Sequence, residues 1–552
     1  MEKNKTDNSL VKNAYIATVG IIISKILGIL YVIPFNSFVG EQGGALYGYA
    51  YNVFLVFIGI SSAGLPLAMS KIISEYNTYG YFGIKERTFK IGTMIAFILG
   101  FISFLIMFFF APVYAHFVLG DVVGGNSAED IVFVVRVISI ALLFVPILSV
   151  YRGYFEGHNL ISWMASSEVI EQIIRVLTIL IGCFLFARVL DLPLRYSIGS
   201  ALIAAAIGSG CAYLYLYNKK NKHIKLFNKK STEKEPKIKN IDIIKKILIY
   251  AIPLIMIDIF KSLYSLIDSV TVVRTLNCFY HISSAEAIYS VISTWGHKIN
   301  MIIISFSTGF MISIIPNLTS NLVSNNHENI EKTINKSFQA LLYLIVPMTF
   351  GISFLSQAVY SLLYGYSMYG ASVLKIYVFV ALADAIFITT VTILQVMKHY
   401  KMVFISLLSG VILKILLNII MMRKMYLWGL EPYYGNIIAT ILGYSITSLI
   451  SIITVCIKDN ISLRKSIIPI INIIIGSIVM TICLHILSNY VPITLESRFG
   501  NIFVLLIYGL VGFGIYFIYT YITKTVDIIY GKTFIGRYFK KIKKKFIKEG
   551  SK

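Results

Sequence analysis

The pattern of apolar and polar residues divides the chain into long apolar runs separated by short polar segments. A run of about 20 apolar residues has the length of a membrane-spanning α-helix, and these runs do not alternate as the strands of a membrane barrel do. The pattern therefore predicts about fourteen spanning helices. Their limits lie near 11–35, 47–70, 90–119, 131–151, 163–187, 194–217, 245–274, 286–316, 336–364, 370–397, 403–424, 434–457, 467–490 and 500–523.

The composition agrees with an integral membrane protein of the all-α class. Of the 552 residues, 57% are hydrophobic and only 14% are charged, which is more apolar surface than a soluble fold needs. The first apolar run follows the polar start MEKNKTDNSLVKN and has no small-residue cleavage site, so we expect no cleaved signal peptide. The five cysteines are scattered and show no ligand spacing, so we expect neither a disulfide framework nor a metal or other cofactor.

Basic residues collect in alternate polar segments. With the N-terminus inside, most of the 49 Lys and Arg residues lie on the cytoplasmic side, and six lie opposite: Arg188, Arg195, Arg274, Arg423, Lys424 and Arg498. This bias predicts a multi-pass membrane protein with both termini in the cytoplasm. The basic segments 219–230 and 536–552 are then expected to touch anionic membrane lipids, and we expect no nucleic-acid partner.

The longest polar loop divides the chain after the sixth predicted helix. AGLPLAMSKIISEY and ISIIPNLTSNL end corresponding helices on either side of this loop, with Pro66 and Pro316 near the cytoplasmic face. Two six-helix lobes related by an axis along the membrane normal produce such a pattern. We predict a lobe at 1–217, a basic linker at 218–244, a lobe at 245–457, two further helices within 458–523 and a basic tail at 524–552.

Ionisable residues inside the predicted spans mark candidate functional positions, because lipid does not solvate them. Glu171 and Arg175 are four residues apart and can pair along one helix face. Arg136 and Lys375 lie near helix ends, where long side chains reach the interface. Two other residues, Lys414 and Asp384, are compatible either with a bridge between helices or with an ion site. Asn418 lies one turn after Lys414. The sequence does not decide between the two alternatives.

Three further lysines suggest a binding site. Lys261 belongs to a polar stripe, IDIFKSLYSLID, that also carries Asp258 and Asp268, while Lys298 and Lys25 share helix faces with other polar or small residues, among them Ser24 beside Lys25. One hypothesis is that the three ammonium groups converge on an anion in a central cavity. The other is that Lys261 merely neutralises Asp258 or Asp268.

Several long blocks resemble a known family: ISKILGILYVIPF, VGEQGGALYGYAYN, AGLPLAMSKIISEYN, VVRVISIALLFVPILSVYRGYFEGHN and SEVIEQIIRVL. They are similar to the Gram-positive YtgP branch of the MurJ lipid II flippases, in the multidrug/oligosaccharidyl-lipid/polysaccharide exporter superfamily. The resemblance implies a MATE-like pair of lobes, with two extra C-terminal helices forming a groove for a polyprenyl tail. It also implies lipid II as cargo, the undecaprenyl-diphosphate-linked peptidoglycan precursor.

The resemblance also assigns roles to residues. Lys25 stands where the family motif SRxLG has arginine, and Lys298 corresponds to the family's cavity cation. Tyr31 replaces a second arginine found in the proteobacterial branch, and lysine lacks the two-pronged guanidinium, so the site is not a copy of that branch's. The expected substrate-binding residues are Lys25, Lys261, Lys298, Asp268 and Ser24.

Other functions fit the sequence less well. GKT at 531–533 lacks the P-loop glycine, since Val526 stands there, and the short exterior loops offer little for a glycosyltransferase beyond DVVGGNSAED at 121–130. A MATE-type drug or cation antiporter needs an anionic cavity. A flippase for a teichoic acid, capsule or spore-cortex precursor remains an alternative. We expect coupling to membrane potential, the rival being a sodium or proton site near Asp384 and Lys414.

Overall fold

The computed structural model describes residues 24, 27, 28, 30–120, 124–223, 227, 235–491 and 498–531, leaving aside the side chains of 312, 313, 498 and 499. These residues form helices and no strands. In chain order the helices are α1 (Val32–Ser62), α2 (Leu65–Thr78), α3 (Phe82–Leu119), α4 (Ala128–Ser139), α5 (Val145–Gly157), α6 (Ile161–Phe184), α7 (Leu194–Lys222), α8 (Asn240–Leu276), α9 (Ile282–Ser290), α10 (Gly296–Val323), α11 (His327–Phe354), α12 (Ser356–Tyr364), α13 (Gly370–Val396), α14 (Tyr400–Leu427), α15 (Tyr433–Lys458), α16 (Arg464–Ser488), α17 (Arg498–Ile522) and α18 (Thr525–Tyr530).

Within the described residues, twelve helical segments are long and apolar enough to cross a membrane, which confirms the predicted all-α membrane class. The 37-residue α8 has ample length as well. Most predicted limits agree with the helices to within a few residues, as at 370–397 and 434–457. The predicted helix at 11–35 lies largely outside the described residues, and the one at 336–364 is divided between α11 and α12.

The helices predicted at 11–35 and 47–70 meet at a bend instead of a long loop. Gly40 has φ +63° within α1, a backbone conformation that glycine adopts without strain. The chain remains helical on both sides of this residue. A second break follows Ser62, where α2 begins after Gly64 with Pro66 in its first turn, a position that does not need an amide donor.

The chain divides into two compact units, Met1–Trp295 with Lys414–Asn436, and Gly296–Leu413 with Ile437–Lys552. The lobe limits expected from the sequence, at 1–217 and 245–457, stay a prediction.

The first unit is held together by a buried apolar cluster and by polar contacts between α1 and α8. The cluster joins α2, α3, α5, α7 and α8 through residues such as Met69, Phe89 and Tyr154. The Asn52 amide on α1 donates to Ser269 Oγ on α8 at 3.0 Å and to Tyr289 OH on α9 at 3.2 Å. Since every polar group buried away from water needs a partner, these bonds also fix the rotation of α8 against α1.

The second unit packs α10, α11 and α13 around one apolar cluster, and α11, α16 and α17 around another. Tyr516 on α17 donates through its hydroxyl to the Tyr343 carbonyl on α11 at 2.9 Å. The two C-terminal helices therefore belong to the packed body of this unit.

Candidate functional site

The polar stripe of α8 runs from an exposed end to a buried one. Asp258 is exposed, and Lys261 is half-buried and near enough to attract the Asp258 carboxylate. Asp268, two turns further along, is buried. The stripe predicted from the sequence therefore exists, but its two acidic residues lie in different surroundings.

Asp268 is the counter-ion of Lys414. The Lys414 ammonium lies 2.7 Å from Asp268 Oδ1 and its side chain is fully buried. It also donates to Asn418 Oδ1 at 3.0 Å and to the Asn436 carbonyl at 3.3 Å. The same carboxylate accepts from the amides of Asn436, at 2.5 Å, and Asn418, at 3.3 Å. These bonds join α8, α14 and α15, so Lys414 is an interhelical bridge, and its ion pair with a residue of α8 was not foreseen.

The remaining predicted site residues lie apart from this cluster in the chain. Lys298 is half-buried in α10, in the second unit, one turn after Thr294, which donates to the Gly44 carbonyl at 2.8 Å. Lys25 lies outside the described residues. Ser24 is half-buried, and within the described part of the chain its hydroxyl has no hydrogen-bond partner. Convergence of the three lysines stays a prediction.

The pair predicted between Glu171 and Arg175 is present on α6 and has a third member. Arg152 on α5 lies 2.8 Å from Glu171 Oε2 through its Nη2, and its Nε donates to Ser167 Oγ at 3.0 Å. The predicted span 131–151 ends just before Arg152, whereas α5 continues to Gly157. Within the trio, two guanidinium groups share one carboxylate.

The described residues that precede α4, from Gly124 onward, contact α1 and α9. Asn126 is buried, and its backbone and side-chain N–H groups both donate to Glu286 Oε1 on α9, each at 3.0 Å. The Asn126 amide also donates to the Gln42 carbonyl on α1 at 3.1 Å. Ser127 and Asp130 cap α4 reciprocally, and Glu129 remains exposed, so the acidic residues at this point serve the helix terminus.

Solved structures share this fold. The lipid II flippase MurJ in an inward closed conformation is similar with a TM-score of 0.66 and 17% identity, covering 92% of this chain and 98% of that one. A MATE-family multidrug resistance transporter in an inward-facing conformation gives 0.60 and 14%, covering 82% and 99%. The fold is therefore the MATE-like one expected from the sequence.

Sequence comparison identifies the family. The family model for polysaccharide biosynthesis proteins matches residues 10–322. The lipid II flippase MurJ of Bacillus subtilis (strain 168) is 33% identical over 444 residues, which cover 79% of this chain and 80% of that protein. The chain therefore belongs to the polysaccharide biosynthesis protein family, among the relatives of MurJ, and it is a transporter, not an enzyme.

Proposed function

We propose that this chain is a lipid II flippase. It moves the undecaprenyl-diphosphate-linked peptidoglycan precursor from the inner to the outer leaflet of the bacterial plasma membrane by alternating access. The observation that carries the proposal is the similarity to the Bacillus subtilis flippase, which extends over about four-fifths of both chains. The positive-inside bias supports cytoplasmic termini.

The charged residues of the spans support an anionic cargo. Lys25, Lys261 and Lys298 supply ammonium groups for a diphosphate, and Ser24 supplies a hydroxyl donor beside the first of them. The Asp258 carboxylate also attracts Lys261 electrostatically, so a cargo contact of this lysine competes with that attraction. Asp268 contributes to the site indirectly, because its ion pair with Lys414 anchors α8 to α14 and α15. A cationic cavity of this kind disfavours the drug or cation antiporter.

Movement of such a cargo is favoured by the membrane potential. A head group with about two negative charges, moved outward from a negative interior, gains roughly 2.3 kcal/mol per charge per 100 mV if it crosses the whole field. Lysines in the cavity offset part of that charge on the loaded step. They also leave the empty carrier positive, so the potential draws its charged site back toward the cytoplasm.

Substitution of the two lysines with family counterparts tests the site. Lys25→Ala and Lys298→Ala should abolish complementation of a flippase-depleted strain at normal membrane levels, since each loses a charge-assisted contact of about 1.5–3 kcal/mol. Lys25→Arg should complement, because the family has arginine there. The matched control is Lys375→Ala, which removes an exposed lysine of α13. Healthy growth of the Lys25→Ala/Lys298→Ala double variant would exclude this site.

A further inference from the structure

A groove on the surface of the first unit lies between α3 and α4. It has a volume of about 490 Å³, and the charged residues among those that line it are Glu129 and Arg136. Phe109 and Val113, which adjoin lining residues on α3, are exposed. Large apolar residues that are exposed along a membrane span face hydrocarbon, so the groove opens toward lipid.

Arg136 is held in this groove by a carbonyl that lacks its helical donor. Pro112 lies inside α3 and has no N–H, so the carbonyl of Phe108, four residues earlier, loses its usual hydrogen bond. Arg136 Nε donates to this carbonyl at 3.3 Å, and the guanidinium lies 5.0 Å from the centre of the Phe108 ring. These contacts fix the side chain and use one of its five N–H donors.

The rest of the guanidinium has no partner among the described residues. Arg136 is half-buried, yet its Nη1 and Nη2 are neither hydrogen-bonded nor enclosed. In the described part of the chain it forms no ion pair. A cation in an apolar wall costs free energy unless an anion accompanies it, so this point of the groove favours an anionic ligand.

The depth of Arg136 matches the phosphate layer of a leaflet. The span Ala128–Gly157 has 30 residues, or about 45 Å, whereas the hydrocarbon core is about 30 Å thick. A centred span therefore extends about 7 Å beyond the hydrocarbon at each end. Arg136 lies about 12 Å from the first end, so its Cα is about 5 Å inside the boundary. A long side chain covers that distance and reaches the lipid phosphates.

The charges at the mouth of the groove favour a ligand with one negative charge. Glu129 lines the groove on the same helix face, two turns before Arg136. Arg195 lies 3.9 Å from the Glu129 carboxylate and 3.7 Å from that of Asp130, so one guanidinium serves two carboxylates. The negative charge that remains repels a second anionic group beside the one at Arg136. A phosphodiester carries one negative charge, whereas a diphosphate carries more.

We infer that this groove binds one membrane phospholipid through its phosphodiester. The Nη groups of Arg136 donate to the phosphate oxygens, and an acyl chain packs against apolar lining residues such as Val132 and Phe133. In the orientation that the basic residues predict, this lipid belongs to the outer leaflet. The inference is independent of the proposed function, since it concerns a lipid that is retained and not transported.

Photolabelling of the purified full-length protein in phospholipid-free detergent micelles tests the site. The probe is phosphatidylglycerol with a diazirine on one acyl chain, and mass spectrometry counts the labelled peptides. Label should concentrate on α3 and α4. Arg136→Gln keeps an N–H donor for the Phe108 carbonyl but carries no charge, so it should lower this labelling about tenfold. Val132→Trp fills the groove and leaves Arg136 in place, so it should lower the labelling even if Arg136 is needed for folding.

Two controls match these changes. Arg188→Gln removes another half-buried arginine on the predicted exterior side, and Leu177→Trp fills a groove of about 430 Å³ between α6 and α7, whose described lining residues are uncharged. Neither should alter the label on α3 and α4. Equal labelling of the two grooves, or unchanged labelling in either Arg136→Gln or Val132→Trp, would overturn the site. So would displacement of the label by less undecaprenyl diphosphate than unlabelled phosphatidylglycerol, since the groove would then belong to the cargo.

Discussion

The buried ion pair between Lys414 and Asp268 allows a sharp test of how α8 is anchored. Lys414→Met removes the ammonium and leaves a carboxylate with the amides of Asn418 and Asn436 as donors. Asp268→Asn leaves a fully buried ammonium with neutral oxygens in place of the carboxylate. Removing one partner of a buried pair costs about 3–5 kcal/mol, because the other charge stays desolvated.

The double variant Lys414→Met/Asp268→Asn should recover most of this loss. With both charges gone, no unpaired ion is left, and uncharged replacement of a buried pair is often neutral. We expect the double variant to lie within about 2 kcal/mol of the unaltered protein, which, with single losses of about 3–5 kcal/mol each, corresponds to a coupling energy of at least about 4 kcal/mol. Asp268→Asn should be the more costly single change, because the ammonium that it leaves is fully buried, whereas the Asp268 carboxylate keeps 11% of its surface accessible.

The free energy of unfolding in mixed detergent, measured for all four proteins, gives the coupling energy directly. Lys375→Met is the control, because this lysine is exposed and its loss should change stability by less than about 0.5 kcal/mol. Single variants that each lose under about 1 kcal/mol, or losses that simply add in the double variant, would refute the assignment of Asp268 to Lys414.

Three further predictions concern energy coupling, the segment before α4 and pH. Collapsing the membrane potential at constant pH gradient should stop lipid II flipping in cells, while replacing sodium should not. Flipping that survives the loss of potential but stops without sodium would indicate a sodium site instead. Glu286→Ala should lower the free energy of unfolding by about 2–3 kcal/mol, because two buried Asn126 donors lose their acceptor. Glu286→Gln keeps an acceptor oxygen and should retain most of the stability. Equal losses for the two variants would contradict this explanation. Burial lowers the pKa of His158 to about 4 from 6.5, so protonation favours the unfolded chain. Stability should therefore fall as pH drops from 6.5 toward 4, less so in His158→Gln.

The membrane helices were predictable because hydrocarbon imposes one length and one composition on every span. Hydropathy ended one span at 35 and began the next at 47, whereas the chain stays helical on both sides of Gly40, whose positive φ makes the bend between them. Arg152 was assigned to a loop for a related reason: α5 continues to Gly157, and helix ends are uncertain by about a turn.

Within the polar clusters, partners close in the sequence were predicted, whereas partners distant in the sequence were not. Glu171 and Arg175 were paired correctly because four-residue spacing fixes their geometry on one helix. The stripe on α8 revealed which residues share a face, but not which helices approach that face. Asn418 lies 150 residues from Asp268 in the sequence, so only the packing of α14 and α15 reveals this cluster.

Rescue of cells depleted of their own lipid II flippase tests the central proposal most directly. The quantity to measure is the lipid II accessible at the outer surface, with membrane levels of the introduced chain followed in parallel. We expect the chain to restore both growth and surface lipid II, and the Lys25→Ala/Lys298→Ala variant to restore neither. Normal membrane levels of the chain without any surface lipid II would contradict the proposal.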